Sequence, residues 1–349
     1  MIPYSKHQVT PEDEAAVLRV LRSDRLTQGP EVQALEADLC RVSGAQYAVA
    51  VSSGTAALHL AYLAAGLGPG KTLVTTPLSF VATANAALYC GAEVSFQDGL
   101  SMELPSLDGY CLVAFGGDPP AWYLEPPPVI VDACHGPIQH NGNALATVLS
   151  FHPCKHVAAG EGGAVLTNER LIANTCMTLR DHGRRIHPGD KYDFGSARYA
   201  VWEFGYNYRL DEMSAALARS QLSRYEWGVE RRRLIASMYD MAMPLQIEVV
   251  QHSAYSARHL YQILVDADKR DAIREQLAQR GVGTQVHYHP IIPLQPYYRQ
   301  RYGYTYEQAK ERWPRALEYS ERAISLPLFP TMTDQEIETV ICAVLEVCG

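Results

Sequence analysis

The chain has 349 residues, more than one compact hydrophobic core usually holds, which favours two structural units. Its 30 basic and 38 acidic residues give a formal net charge of −8, which argues against nucleic-acid or membrane-surface binding. No apolar run is long enough to cross a bilayer and the first residues do not resemble a secretion signal, so a cytoplasmic location is expected. The eight cysteines lack metal-site spacing, and no metal is expected.

Helical patterns occupy the first part of the chain. Thr10 followed by Pro11 is typical of a helix start, and an amphipathic stripe through Val32 and Leu39 predicts a second helix. Residues 26–30, Leu-Thr-Gln-Gly-Pro, are predicted to form the turn between the two helices.

A predicted strand at 47–51 is followed by the small polar turn Ser52-Ser53-Gly54-Thr55 and a further helical pattern. Such a turn is a common anion site, because unpaired amides at the helix N-terminus and a hydroxyl converge on one point. Many α/β turns share this pattern, so it is weak evidence by itself.

Two further predicted strands end in residues of interest. The strand at 73–76 leads to Phe80, for which a core aromatic is the simplest interpretation. The strand at 129–131 ends in Asp132, where ligands of open α/β sheets bind, and His135 follows closely. A helix N-cap is the alternative interpretation of Asp132. If it is buried, the carboxylate needs a partner.

The connection before residue 129 contains two glycines and five prolines, which exclude a long helix. Parallel strands need a crossover of a dozen or more residues, so the length of this connection is near the minimum.

A long loop is predicted at 184–204. Beyond it, we predict a strand at 259–265, a helix at 268–280, a strand at 283–288 and a capping box from Thr333 to Glu336.

Lys155 lies in a glycine-containing turn between two apolar runs, 145–151 and 164–166, which are predicted to be buried strands. Such a turn solvates an amine poorly. Burial lowers the pKa of an amine by penalising its charged form, and a neutral amine is a nucleophile toward carbonyls. The local pattern alone nevertheless favours an ordinary surface lysine in a hairpin.

The surrounding motif favours a functional lysine. Ser150-Phe-His-Pro-Cys-Lys155, followed by Gly-Glu-Gly-Gly, resembles the cofactor-binding motif of the pyridoxal-phosphate (PLP) sugar aminotransferases of the DegT/DnrJ/EryC1/StrS family. The similarity extends from Ile2 to the final helix. It implies an α/β protein of fold type I, with a large domain built on a mostly parallel seven-stranded sheet and a small C-terminal α/β domain. With the change in composition near residue 234, the expected domains are 1–233 and 234–349.

The resemblance also implies roles for individual residues and a homodimer with shared active sites. Lys155 would form the Schiff base with PLP, and Asp132 would pair with the pyridine nitrogen. The implied cofactor-binding residues are Gly54, Thr55, Phe80, Asp132, His135, Ser150, Lys155 and, across the dimer interface, Asn207. The implied substrate-binding residues are Tyr4, Leu26, Thr27, Gln285, His287 and Tyr288.

The implied reaction transfers an amino group from glutamate to the C4 ketone of a UDP-4-keto-6-deoxy-N-acetylhexosamine, as in pseudaminic acid biosynthesis. Other nucleotide-linked keto sugars stay open as substrates. Sugar dehydratases of the family carry histidine at the Schiff-base position, which Lys155 occupies here, while His156 is one residue out of register. A non-catalytic nucleotide-sugar binding protein is the third alternative, supported only by the region 99–149, which is short for the family.

Overall fold

The structure is a computed structural model that describes residues 1–98, 108–120, 129–140, 142–184 and 200–348. Its helices are α1 Pro11–Leu21, α2 Pro30–Ser43, α3 Gly54–Ala64, α4 Ala82–Tyr89, α5 Arg170–Arg180, α6 Glu212–Leu222, α7 Tyr225–Ala242, α8 Arg270–Gln279, α9 Pro296–Tyr302, α10 Tyr306–Arg312, α11 Pro314–Arg322 and α12 Asp334–Cys348. Its strands are β1 Tyr47–Val51, β2 Thr72–Thr75, β3 Glu93–Phe96, β4 Gly109–Val113, β5 Val129–Asp132, β6 Ala146–Ser150, β7 Gly163–Thr167, β8 Glu248–Val249, β9 Tyr261–Leu264 and β10 Ala323–Leu326.

A seven-stranded sheet organises the larger part of the molecule, in the order β1-β7-β6-β5-β4-β2-β3. Strands β3, β2, β4, β5 and β6 pair in parallel, whereas β7 is antiparallel to both of its neighbours. One core lies between this sheet and helices α3, α4 and α5, and a second lies between its other face and helices α2 and α6. The predicted mostly parallel α/β sheet is therefore confirmed, and its central strands are apolar because both faces are buried.

Local sequence signals predicted the helix ends well. The Thr10 hydroxyl accepts from the Asp13 amide, and the Asp13 carboxylate accepts from the Thr10 amide at 2.9 Å, so α1 begins in a capping box. The predicted box from Thr333 to Glu336 forms in the same way at the start of α12. These contacts span three residues, so neighbouring sequence alone determines them.

A second, three-stranded antiparallel sheet has the order β10-β9-β8 and packs on helices α7, α8 and α12. The predicted strand at 283–288 is wrong. Only Gln285 pairs with this sheet, through two backbone hydrogen bonds to Ser325 of 3.1 and 2.8 Å. The Gly283 amide donates instead to Ile2, and the Tyr288 carbonyl accepts from the Ser320 hydroxyl, so the backbone groups needed for a ladder are already used.

The short β4–β5 connection joins the two sheets. Strands β4 and β5 pair in parallel as expected, and the described part of their connection contains a single 3-10 turn at Phe115–Gly117. The Gly116 and Gly117 carbonyls accept from the Leu260 and Ala257 amides, at 3.0 and 2.9 Å. This approach needs glycine, since a Cβ on Gly117 would lie 2.7 Å from two backbone nitrogens of the 257–260 segment. Residues 121–128 and most of the predicted 184–204 loop lie outside the described residues.

Part of the C-terminal chain packs in the core of the large sheet. The predicted division after residue 233 falls within α7, which runs from Tyr225 to Ala242. Tyr298 and Trp313, from the C-terminal part of the chain, pack in the core of the large sheet, and the Trp313 indole donates to the Phe96 carbonyl at 2.9 Å. The division into 1–233 and 234–349 stays a prediction. None of the described helices combines the length and apolar character that a bilayer crossing requires.

Candidate active site

Most of the predicted site residues meet in one cavity of about 530 Å³. It lies at the carboxyl ends of β2, β5 and β6, which point to the same edge because these strands are parallel. The predicted residues that line it are Tyr4, Gly54, Thr55, Phe80, Asp132, His135, Ser150, Lys155, Gln285, His287 and Tyr288. Residues up to 284 positions apart in the chain are thus brought together, from Tyr4 to Tyr288 (288 − 4).

Three of the predicted residues do not line this cavity. Leu26 and Thr27 lie in the turn before α2, where Thr27 forms a backbone bridge with Asp211. Asn207 is exposed and forms a backbone bridge with Asp181. Their functional roles stay predictions, and the role predicted for Asn207 is in the site of a partner subunit.

Asp132 is a buried carboxylate, only 5% exposed, at the end of β5. Its Oδ2 accepts from the Thr83 hydroxyl at 2.7 Å, and its Oδ1 accepts from the Cys134 amide at 3.1 Å. Ser79 shares a 2.9 Å hydrogen bond with the same Thr83 hydroxyl. In the described part of the chain Asp132 makes no salt bridge with a basic residue, so a buried carboxyl group faces the cavity without a cationic partner.

The turn at the start of α3 is built for close contact. The Ser53 hydroxyl caps the helix by accepting from the Ala56 amide at 3.0 Å. Gly54 lies against β6, where a Cβ would approach the Ser150 Cβ to 2.9 Å. A Cβ on Gly163 of β7 would likewise lie 2.6 Å from the Ser53 carbonyl carbon. Two glycines therefore bring the helix N-terminus and the Ser150 hydroxyl to one wall of the cavity, a favourable setting for an anion.

Lys155 is surrounded by buried, neutral histidines. Desolvation lowers the pKa of His287 and of His156 to about 3, with the charge of Lys155 as a smaller cause for both. Burial also holds the pKa values of His135 and His259 well below their usual range. The His135 and His259 rings pack with their centroids 4.3 Å apart. Among the described residues that line the cavity, Lys155 is the one lysine or arginine.

Tyr288 connects the small sheet to this cluster. Its hydroxyl lies 3.1 Å from His135 Nε2, and burial keeps the Tyr288 pKa well above its usual value. The protonated hydroxyl is therefore placed to donate to Nε2 of a neutral His135. His135 Nδ1 is buried without a hydrogen-bond partner in the described part of the chain. Burial, with a smaller effect of Cys154, likewise raises the Tyr4 pKa to about 12.

Phe80 is an exposed aromatic residue among the predicted cofactor residues. Its ring is 56% exposed although it lines the cavity, with its centroid 5.9 Å from that of Tyr288. An aromatic ring left open at a cavity wall offers a flat surface on which another ring can stack. The core interpretation of Phe80 is therefore wrong.

Sequence reasoning did not predict two residues that help to form this site, Thr83 and His259. Thr83 is the second residue of α4, and nothing in the sequence indicates that its hydroxyl reaches a carboxylate on β5. His259 precedes β9 and lines the cavity beside His135. Its position depends on the docking of the 257–260 segment on the Gly116–Gly117 turn. The sequence carries no signal for the Thr83–Asp132 or the His259–His135 contact, because each contact joins elements that are separate in the chain.

Comparison with known proteins agrees with this architecture. The model of the DegT/DnrJ/EryC1/StrS aminotransferase family matches residues 7–102 and 128–345. The chain belongs to this family. The unmatched interval 103–127 falls in the region that the sequence indicated to be shortened. The protein is accordingly a PLP-dependent sugar aminotransferase of fold type I.

Solved structures show the same fold over nearly the whole chain. Helicobacter pylori PseC, an aminotransferase involved in the biosynthesis of pseudoaminic acid, is 27% identical, with 99% of each chain covered and a TM-score of 0.86. DesV from S. venezuelae is 27% identical, covering 96% of this chain and 94% of its own, with a TM-score of 0.84. Bacillus subtilis NtdA, solved with bound cofactor PMP, is 25% identical, covering 97% of this chain and 83% of its own, with a TM-score of 0.83.

The residues of this cavity fit PLP. The helix N-terminus at Gly54 and the Ser150 hydroxyl suit a phosphate group, and the Gly54 position has no room for a side chain. The buried carboxylate of Asp132 suits a protonated ring nitrogen. Lys155 supplies an amine in the same cavity. Within the described ranges, no group of three metal-ligating side chains is arranged to hold a metal ion.

Proposed function

We propose that the enzyme transfers an amino group from glutamate to the C4 ketone of a UDP-4-keto-6-deoxy-N-acetylhexosamine. The similarity to PseC supports this substrate class, and the cavity of about 530 Å³ is of a size that takes a cofactor and a sugar ring. The observation that carries the chemistry is the buried Asp132, without a salt bridge in the described residues, in the same cavity as Lys155.

Asp132 has the role of holding a proton on the ring nitrogen of the cofactor. Its two hydrogen bonds from Thr83 and Cys134 orient the carboxylate without neutralising it. When bound, PLP supplies an aldehyde that accepts the amino group and a ring that withdraws electrons from the reacting carbon. A paired ring nitrogen keeps this withdrawal strong, which makes Asp132 the electrostatic partner of the reaction.

Lys155 Nζ serves first as the covalent attachment point and then as general acid and base. It takes the proton from the α-carbon of the donor and delivers a proton to C4 of the sugar. The neutral histidines around it do not compete as charged acids near pH 7, because burial keeps their pKa values low. Loss of this base would slow proton transfer by about 10²–10⁴-fold.

Substrate recognition is assigned to residues at the cavity wall and at the predicted subunit interface. Tyr4, Gln285, His287 and Tyr288 line the cavity from the N-terminal segment and from the stretch after α8. Leu26 and Thr27 are proposed to contact the nucleotide sugar, and Asn207 to reach the cofactor phosphate of the partner subunit in a homodimer. The homodimer and the cytoplasmic location stay predictions.

The substrate is tested by offering the PLP-loaded enzyme UDP-linked 4-keto sugars of L-altro-type and D-xylo configuration separately, with glutamate, and measuring 2-oxoglutarate release. Preference for the L-sugar is the expected result. Preference for the D-sugar would reject the pseudaminic-type substrate and leave aminotransfer intact. A sugar without the N-acetyl group should be a poor substrate, because a pocket built to hydrogen-bond a group discriminates strongly against its absence.

A catalyst is separated from a non-catalytic sugar-binding protein by the visible absorption of the PLP-loaded enzyme. Addition of glutamate without sugar should remove the band of the lysine-bound cofactor, since the amino group is then transferred to it. Persistence of the band at saturating glutamate, with an intact fold, would favour a different donor or a binding protein. Repeating the measurement with other amino acids distinguishes these two outcomes.

A further inference from the structure

A second, smaller cavity lies behind Lys155, and its wall contains a buried arginine. Arg232, on α7, is only 3% exposed. Its Nη1 donates to the Leu328 carbonyl at 2.5 Å and, more weakly, to the His259 carbonyl at 3.5 Å. No carboxylate in the described residues forms an ion pair with it. Burial lowers the Arg232 pKa to about 10, and a guanidinium that stays charged in this setting requires a compensating anion.

The other side chains around this cavity do not supply an anionic partner for Arg232. Arg224 lines the cavity but is already paired with the fully buried Asp13. Lys6 contributes a further positive charge from the exposed N-terminal segment. None of the described residues that line the cavity is acidic. The surroundings of Arg232 therefore carry an excess of positive charge.

The size of the cavity limits what can bind there. Its volume is about 40 Å³, and roughly 10–15 Å³ is needed for one water molecule. A monatomic anion with a water or two fits this volume, whereas a sugar phosphate does not. Of the described residues, Lys155 alone lines both this cavity and the active-site cavity, so the two volumes are separate binding places.

We propose that this cavity is a binding site for a small inorganic anion of chloride size, held by Arg232 and Lys6. The guanidinium supplies directed N–H donors and Lys6 supplies a second charge at the mouth. The anion would lie beside Lys155 and the neutral His156, on the opposite side from the sugar substrate. The proposal is independent of the sugar and of the amino donor.

The test measures the line width of the ³⁵Cl NMR signal with the PLP-loaded enzyme, so that the cofactor site is filled. Chloride is titrated against gluconate at constant ionic strength, because gluconate is too large for the cavity. Saturable broadening that bromide reverses is expected. Arg232→Gln should weaken chloride binding about 10- to 100-fold, the value of hydrogen bonds to a charged group. Arg231→Gln, which removes the same charge from the neighbouring position, should leave it unchanged.

A second variant, Lys6→Gln, keeps the test decisive if Arg232→Gln does not fold. Lys6 is exposed, so Lys6→Gln should fold normally and weaken chloride binding about two- to fivefold. Absence of saturable broadening in the unsubstituted enzyme would overturn the proposal. So would broadening that persists unchanged in a folded Arg232→Gln protein, or, if that variant does not fold, an unchanged affinity in Lys6→Gln.

Discussion

Replacement of Thr83 by valine tests how the buried carboxylate of Asp132 is held. The Thr83 side chain is fully buried, and its hydroxyl contacts Asp132 Oδ2 at 2.7 Å and Ser79 Oγ at 2.9 Å. Thr83→Val keeps the shape of the side chain but removes both contacts. A hydrogen bond to a charged group is worth about 1.5–3 kcal/mol, against about 0.5–1.5 kcal/mol for a neutral one. The free energy of unfolding should therefore fall by about 2–4 kcal/mol.

The matched control is Thr75→Val. Thr75 is also a buried threonine, and its hydroxyl donates to the neutral Cys111 carbonyl at 2.9 Å. Urea unfolding of the cofactor-free proteins at pH 7 should show a loss for Thr83→Val about three times that for Thr75→Val, because Thr83 loses one hydrogen bond to a charged group and one to a neutral group, whereas Thr75 loses one neutral bond. Thr83→Ser should restore most of the difference, because it keeps the hydroxyl. A loss for Thr83→Val no greater than that for Thr75→Val would refute the view that this hydroxyl holds a charged carboxylate.

Three further predictions concern catalysis and stability. Lys155→Ala should abolish aminotransfer while PLP still binds noncovalently, and Lys155→Arg should be equally inactive despite its charge; steady-state turnover of either variant at the unsubstituted rate would contradict the assignment. Mixing Lys155→Ala with Asn207→Ala under subunit exchange should partly restore activity, because one site of the heterodimer then carries neither change; proven exchange without recovery would place Asn207 in its own site. Stability should fall as pH decreases from 6.5 toward 5, since unfolding exposes histidines with ordinary pKa values near 6.5 whereas His156 and His287 titrate near 3 in the folded protein. Each such histidine contributes about 1.4 kcal/mol per pH unit well below 6.5. The free energy of unfolding of His156→Gln, measured with urea, should therefore fall less steeply as the pH decreases. An unchanged pH dependence would argue against the neutral burial of His156.

Sequence by itself determined the features that depend on neighbouring residues and on ordered motifs. The helix starts at Thr10 and Thr333 follow from contacts across three residues. The apolar runs before Asp132 and Lys155 predicted buried strands that end at one edge of a parallel sheet, which is enough to bring both residues to the same cavity. The order of the motifs along the chain identified the family and the cofactor.

Only the tertiary structure decided contacts between groups that lie far apart in the chain. The Thr83 hydroxyl reaches Asp132 across 49 residues, and His259 packs on His135 because the Gly116–Gly117 turn accepts hydrogen bonds from the 257–260 segment. The stretch 283–288 alternates like a strand, yet its backbone groups bond to Ile2 and Ser320 instead. Periodicity reports which side chains are buried, but a ladder also needs free backbone partners, and those are set by how the whole chain packs.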